Sequence, residues 1–141
     1  MMNVYNTVLV PIDVFSDYTQ ILSRALQVAP DTDNIHLLYV AFPQTNVEPY
    51  GLFLERDYSQ DVKEQAMKKL SEIAAGNNIP TGNVNVEIGS PADEIHYVAE
   101  KLNADLIVIG THGQSGLRLL LGSTANAVLH GVKRDVLAVK I

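Results

Sequence analysis

Short runs of Val, Ile and Leu alternate with longer amphipathic stretches, and this alternation limits the possible folds more than any other feature of the chain. Such runs, closed by turn residues, are typical of strands, and they occupy residues 7–12, 35–40, 83–88, 105–109 and 136–141. Apolar spacing and helix start and stop residues predict helices at residues 16–29, 57–75, 91–102 and 123–130. Alternating strands and helices favour a mostly parallel sheet with right-handed crossovers and helices on both faces.

Two of the predicted strands have distinctive patterns. The run at residues 105–109 is the most apolar, so we expect it at the centre of the sheet. The run at residues 83–88 alternates apolar and polar residues, which predicts a strand near an edge. No internal repeat, low-complexity tract or linker interrupts the chain. The sequence therefore predicts one α/β domain over residues 1–141, built on an open parallel sheet of the Rossmann-like kind.

Composition excludes several classes of protein. The 141 residues are 47% hydrophobic and 18% charged, which is too apolar for a disordered chain. Because there is no cysteine, disulfides, thiolate metal sites and cysteine nucleophiles are excluded. A net charge of −6 disfavours nucleic acid as a partner. No stretch approaches the roughly 20 apolar residues that cross a bilayer, and the first residues lack a signal peptide's basic segment, so we expect a cytoplasmic protein without a membrane partner.

Three predicted strands end in residues that suit a ligand site. Ligands of open parallel sheets bind outside the carboxyl ends of the strands, where the strand order reverses. Asp13 follows the first strand, Val40 ends the second, and the fourth leads through Ile109 into a glycine-rich loop. We expect these three ends to be neighbours.

The glycine-rich stretch at residues 110–124 has two readings. Glycine lets the backbone approach a ligand closely, and successive N–H groups can surround an anion. Ser123 and Thr124 stand at a predicted helix start, which adds hydroxyls and unpaired N–H groups, and Arg118 is the cation of the loop. The stretch is therefore either a phosphate cradle or a glycine-rich turn with a Ser or Thr helix cap, and its residues alone leave both open.

No catalytic constellation accompanies the loop. His112 has no Ser, Asp or Glu partner at a recognisable spacing, and the four histidines share no metal-ligand spacing. The phosphate-loop, dinucleotide and nucleophile-elbow patterns are absent. Asp13 itself could either face a ligand or cap the helix that follows it. We therefore predict no catalytic residue and no metal site made by this chain.

An ordered set of motifs resembles the universal stress protein family over nearly the whole chain. The set consists of Leu-Val-Pro-Ile-Asp at residues 9–13, Gly-Ser-Pro-Ala-Asp at 89–93, Gly-Thr-His-Gly at 110–113 and Leu-Leu-Gly-Ser at 120–123. The resemblance implies a five-stranded parallel α/β sheet of the adenine nucleotide alpha hydrolase-like type, a homodimer and, in one subgroup, bound ATP. That subgroup has Gly, two residues, Gly, nine residues, Gly and Ser or Thr. Here eight residues, 114–121, separate the second and third marked glycines.

The resemblance also implies roles for individual residues. Asp13 would lie beside the adenine or ribose, Val40 against the base and Gly110 under the ribose. Those that would face the phosphates are Gly113, Gly122, Ser123 and Thr124. The complete set implied to line the nucleotide is Pro11, Ile12, Asp13, Val40, Ile109, Gly110, His112, Gly113, Arg118, Gly122, Ser123 and Thr124.

The resulting hypothesis is an ATP-binding regulatory module of the stress response, with Mg²⁺ as an ion that ATP could bring. One alternative is a slow ATP-using enzyme, either a hydrolase or a self-phosphorylating protein. Phosphoryl transfer requires charge neutralisation, and the single arginine of the loop provides little positive charge for it. A further alternative is a dimeric scaffold without a nucleotide. The apolar strand at residues 136–141 would be an aggregation hazard as an exposed edge, so we expect a homodimer joined through it.

Overall fold

The computed structural model describes residues 5–41, 58–111 and 123–141, and within these ranges the backbone forms a five-stranded sheet with four α-helices. The strands are β1 (Val8–Pro11), β2 (Ile35–Ala41), β3 (Val84–Ile88), β4 (Leu106–Gly110) and β5 (Asp135–Val139). The helices are α1 (Thr19–Val28), α2 (Tyr58–Gly76), α3 (Pro91–Leu102) and α4 (Ser123–Leu129). All strand pairs are parallel, in the order β3-β2-β1-β4-β5. The predicted α/β fold is confirmed.

Consecutive side chains of β1 belong to two hydrophobic clusters, because side chains alternate along a strand. Val10 joins the cluster that contains the buried residues of α1 and α2. Leu9 joins the cluster that contains the buried residues of α3 and α4. Both side chains are fully buried, and each such burial stabilises the fold by about 1.5–3 kcal/mol. The helices thus cover both faces of the sheet, hereafter the α1/α2 face and the α3/α4 face.

The position of one strand differs from the prediction. The strand at residues 105–109 was expected at the centre, but β1 holds that place and β4 lies directly beside it. Both strands have neighbours on each side and helices on each face, so apolarity does not distinguish the central strand from the one next to it. The expected edge position of β3 is confirmed.

Helix α1 begins later than the sequence suggests. Ser16 or Asp17 was the predicted start, yet the first helical residue is Thr19 and its cap, Tyr18, makes no side-chain capping bond. The Asp17 carboxylate accepts the Thr19 N–H at 3.0 Å, and this bond lowers the pKa of Asp17. The polar residues before α1 therefore stabilise turns within the β1–α1 loop, because their oxygens are taken up by N–H groups two residues on.

The amino ends of β4 and β5 are tied to the segment that leads into β1. Asp105, just before β4, accepts the backbone N–H groups of Asn6 at 2.8 Å and Thr7 at 3.0 Å. The Tyr5 hydroxyl donates to Asp135 at 2.8 Å, and this bond raises the pKa of Tyr5. These contacts fix the edge of the sheet opposite the candidate site. Among the described helices, none has the length and apolar character needed to cross a membrane.

Candidate functional site

The strand order reverses between β1 and β4, which is where open α/β sheets bind ligands. The register pairs Val8 with Leu106 and Leu9 with Ile107. Both strands then continue, β1 to Pro11 and β4 to Gly110, without a further ladder pair among the described residues. Helix α1 follows β1 on one face of the sheet, and α4 lies on the opposite face. We call the region between the carboxyl ends of β1 and β4 the switch-point crevice.

The end of β1 brings an aspartate to this crevice. Pro11 is half-buried, and the buried Ile12 donates its N–H to the Leu38 carbonyl at 2.9 Å, which continues the pairing with β2. Asp13 follows, half-buried, with its Oδ1 accepting the Phe15 N–H at 2.9 Å. The Asp13 carbonyl accepts the Ser16 N–H at 3.2 Å. Asp13 therefore stabilises a turn and does not cap α1, which corrects one of the two roles considered for it.

The ends of β2 and β4 add apolar side chains on the α3/α4 face. Val40 is half-buried and packs against the cluster of that face, and Ile109 is a buried member of it. Asp13 lies close to the end of β2, since the preceding residue, Ile12, is hydrogen-bonded to Leu38 of that strand. Burial and, to a lesser extent, the negative charge of Asp13 raise the pKa of Tyr39. The arrangement offers an apolar surface suited to a flat ring and a carboxylate suited to hydroxyl groups.

An aromatic pair on the other side of β2 was missed by sequence reasoning. The Phe15 ring meets the Tyr39 ring edge to face, with centroids 5.5 Å apart and planes at 83°. The Lys69 Nζ lies 5.3 Å from the Phe15 centroid, a cation–π distance. Phe15 is the sequence signal that was overlooked: a large apolar residue within an otherwise turn-forming loop.

Gly110 lies at the end of β4, and its missing side chain has a packing role. A methyl group on its Cα would lie 2.8 Å from the Ile21 Cδ1 and 2.9 Å from the Ile141 Cδ1. The next residue, Thr111, donates its N–H to the Val139 carbonyl at 2.9 Å. Sequence reasoning assigned Gly110 to the ligand site but could not find Ile21 and Ile141, which are remote from it in the chain.

Of the remaining predicted residues, two belong to α4 and four lie outside the described residues. Ser123 is the first residue of α4, and Thr124, the second, is half-buried. Outside the described residues lie His112, Gly113, Arg118 and Gly122, whose implied roles stay predictions. Within the described ranges, no group of three or more His, Asp or Glu side chains could hold a metal ion.

Comparison with known proteins gives the same fold over the same length. The profile of the universal stress protein family matches residues 4–140. Universal stress protein A homolog 1 of Coxiella burnetii is 34% identical over 139 residues, 96% of each chain. The structure of hypothetical protein MJ0577 superposes with a TM-score of 0.74 at 26% identity, covering 97% of this chain and 96% of the other.

A second solved structure is that of a universal stress protein in complex with cAMP. It superposes with a TM-score of 0.59 at 26% identity, covering 96% of this chain and 97% of the other. The family profile spans all five strands and all four helices of the described ranges. The chain belongs to the universal stress protein family.

Proposed function

We propose that residues 1–141 act as a single nucleotide-binding regulatory domain that takes ATP, with Mg²⁺ as its accompanying ion, in the switch-point crevice. The observation that carries the proposal is that Asp13 follows β1 at the reversal of strand order, between Val40 at the end of the neighbouring β2 and the point where β4 leads into the glycine-rich loop. The complex of a related universal stress protein with cAMP supports an adenine nucleotide as the class of ligand.

In this proposal Asp13 is the acceptor for the sugar hydroxyls. Its Oδ1 already accepts the Phe15 N–H, which holds the carboxylate in place before any ligand arrives. A carboxylate has two oxygens with several lone pairs, so a second hydrogen bond remains available to it. Val40 offers a half-buried apolar side chain against which the base packs. The phosphates are assigned to the glycine-rich loop and to Ser123 and Thr124.

We propose a regulatory rather than an enzymatic role, in the cytoplasm, with a homodimer formed through β5. No paired general base stands beside His112 in the sequence. Any ATP hydrolysis is therefore expected to be much slower than the enzyme median of about 10 per second. Phosphate release faster than about 1 per second would favour the alternative of an ATP-using enzyme.

The decisive experiment is calorimetric titration of the purified protein with ATP and Mg²⁺, after removal of any nucleotide that copurifies. Asp13→Asn keeps an oxygen that can accept the Phe15 N–H but loses the negative charge, so we expect the affinity for ATP to fall about tenfold. Asp17→Asn is the matched control, because Asp17 makes the same kind of bond, to Thr19, farther along the same loop.

Two outcomes would contradict the proposal. If the wild-type protein produces neither heat nor a rise in melting temperature at millimolar ATP, the chain is a scaffold without a nucleotide. If Asp13→Asn and Asp17→Asn bind ATP equally well, the nucleotide does not use the Asp13 carboxylate.

A further inference from the structure

The residue that donates a hydrogen bond to the Asp13 carboxylate is itself held by contacts of its ring. The Phe15 N–H donates to the Asp13 Oδ1 at 2.9 Å, and the Phe15 ring meets the Tyr39 ring of β2 edge to face, with centroids 5.5 Å apart. The Lys69 Nζ, from α2, lies 5.3 Å from the centroid of the Phe15 ring. Both arrangements are attractive. Phe15 therefore connects the carboxylate to β2 and to α2.

The backbone on either side of Asp13 is fixed by burial, but its carboxylate is not. Ile12 and Val14 are each 6% exposed and belong to the hydrophobic cluster of the α1/α2 face. The carboxylate can rotate about its side-chain bonds unless a donor such as the Phe15 N–H holds it. Phe15 is 40% exposed, so its position depends on the contacts of its ring with β2 and α2. If the ring is released, the peptide group between Val14 and Phe15 can turn and carry the donor away from the carboxylate.

Three consecutive residues of β2 meet the parts of the proposed site for the sugar and the base. The Leu38 carbonyl accepts the Ile12 N–H at 2.9 Å, and the Tyr39 ring contacts the Phe15 ring. Val40, the next residue, is the side chain proposed for the base. Because side chains alternate along a strand, Tyr39 packs on the α1/α2 face and Val40 on the α3/α4 face. The same strand thus carries the surface for the base and the ring that holds the donor to the carboxylate.

We propose that Phe15 and Tyr39 are positioning residues of the sugar subsite, which hold the Asp13 carboxylate where it can accept the ribose hydroxyls. This inference rests on the proposed function, because it concerns the same aspartate. An acceptor that is already in place loses less conformational freedom when the ligand binds than a mobile one does. The ring contact therefore raises the affinity for nucleotides that carry sugar hydroxyls, and a nucleotide without these hydroxyls gains nothing from it.

Two other roles of the aromatic pair lead to different expectations. If the rings only stabilise the fold, their loss lowers the melting temperature, but the folded protein prefers the same nucleotides as before. If the Phe15 ring touches the nucleotide itself, its loss weakens the binding of nucleotides with and without hydroxyls equally. Only a positioning role lowers the preference for hydroxyls and leaves the affinity for a dideoxy nucleotide unchanged.

The test compares the affinities for ATP and for 2′,3′-dideoxy-ATP, each with Mg²⁺, by calorimetry at a temperature where every variant is folded. For the wild-type protein we expect ATP to bind about tenfold more tightly, because the carboxylate accepts hydrogen bonds from its hydroxyls. Phe15→Leu keeps the backbone N–H and an apolar side chain but loses the ring, so this preference should fall to about threefold or less. Tyr39→Leu should have the same effect. The double variant should lose no more than either single variant, because all three lack the same contact.

Two control variants separate the ring contact from other changes. Tyr39→Phe keeps the ring that meets Phe15 and should retain the wild-type preference. Tyr97→Leu also removes an aromatic ring, but from α3, where Tyr97 is 56% exposed. This variant should retain the preference as well.

A second measurement needs no ligand. Hydrogen exchange of the amide at residue 15, relative to the intrinsic rate of each sequence, reports the bond from this N–H to Asp13. We expect exchange to become about two- to tenfold faster in Phe15→Leu and in Tyr39→Leu. In Tyr39→Phe and Tyr97→Leu the rate should equal that of the wild-type protein.

The outcomes distinguish this inference from the proposed function. If Phe15→Leu melts earlier but keeps the preference for ATP, the rings only stabilise the fold, and the positioning role is wrong although the proposed function stands. An equal loss of affinity for both nucleotides contradicts the positioning role too, since the ring then touches the nucleotide. If the wild-type protein binds no ATP, the proposed function fails, and the exchange rate alone decides whether the ring holds the carboxylate. An unchanged rate in Phe15→Leu would contradict that hold.

Discussion

His36 makes the stability of the sheet depend on pH. This side chain is half-buried in β2, and burial lowers its pKa from the ordinary value of 6.5. Since the folded pKa is below the unfolded one, the unfolded chain binds the proton more readily, and protonation favours unfolding. The stability that the neutral ring provides is therefore present above pH 6.5 and is lost as the pH falls from there toward the lower folded pKa.

We expect the free energy of unfolding of wild type to fall relative to that of His36→Gln as the pH falls from about 8 to 5, because glutamine does not titrate. Urea denaturation at a series of pH values gives the difference in the free energy of unfolding between the two proteins. The contribution of the carboxylates to the pH dependence cancels in this difference, because both proteins contain the same carboxylates. A difference that stays constant across this range would show that His36 does not contribute to the pH dependence.

At the scale of single residues, the sequence located Asp13 but not its role in the loop. Its position after a buried strand was enough to place it at the carboxyl edge of the sheet. Whether Asp13 caps α1 depends on where that helix begins. The helix begins at Thr19 and not at the predicted Ser16, so Asp13 is too far from its first turn to cap it. The bond from the Phe15 N–H depends on turn geometry, which a string of residue types does not specify.

Among the elements, β1 and β4 are held in register by a carboxylate at their amino ends. Asp105 accepts the N–H groups of Asn6 and Thr7, and the Asp105 N–H in turn donates to the Thr7 carbonyl at 3.0 Å. The half-buried Thr7 N–H has reduced access to water, so it would lose a partner if the carboxylate were removed.

Asp105→Ala should therefore lower the free energy of unfolding by about 1–3 kcal/mol. Asp105→Asn keeps one acceptor oxygen and should cost less. The control is Glu100→Ala on the exposed surface of α3, where we expect little change. Urea denaturation of the four proteins checks this order. Equal stability of Asp105→Ala and Glu100→Ala would show that the bond at the amino edge is not stabilising.

The elements themselves were largely predictable, and their places in the sheet less so. The short apolar runs and the helical spacing identify strands and helices because each pattern matches one backbone period. β3 was recognised as an edge strand from its alternation, which reflects a difference in exposure. β1 and β4 are both interior, so their composition carries no information about which of them is central.

For the molecule as a whole, the alternation of strands and helices along the chain predicts a parallel sheet. It does not predict that Ile21 and Ile141 lie close to Gly110. Ile21 lies in α1, and the strands β2, β3 and β4 come between it and the end of β4 where Gly110 lies. Ile141 comes after Gly110 in the chain, beyond α4 and β5. Such contacts arise only when the sheet closes the distance between remote segments. The glycine itself was visible in the sequence, as a sign of close approach, while the approaching groups were not.

The edge position of β5 makes the proposed homodimer testable with a single substitution. The Val139 carbonyl accepts from Thr111, so the polar backbone groups of Val139 face β4. Successive residues alternate in this respect, and the N–H and C=O groups of the exposed Ala138 therefore face outward, where a partner strand would pair with them.

We expect the wild-type protein to be a dimer by light scattering at micromolar concentration and Ala138→Pro to be a monomer, because proline has no N–H to donate to the partner strand. The ladder to β4 should be retained, since the lost group faces away from it. Ala138→Val is the matched control: it keeps the N–H, favours a strand and should remain a dimer. A dimer that persists in Ala138→Pro would place the subunit contact elsewhere, and a wild-type monomer at these concentrations would contradict the homodimer itself.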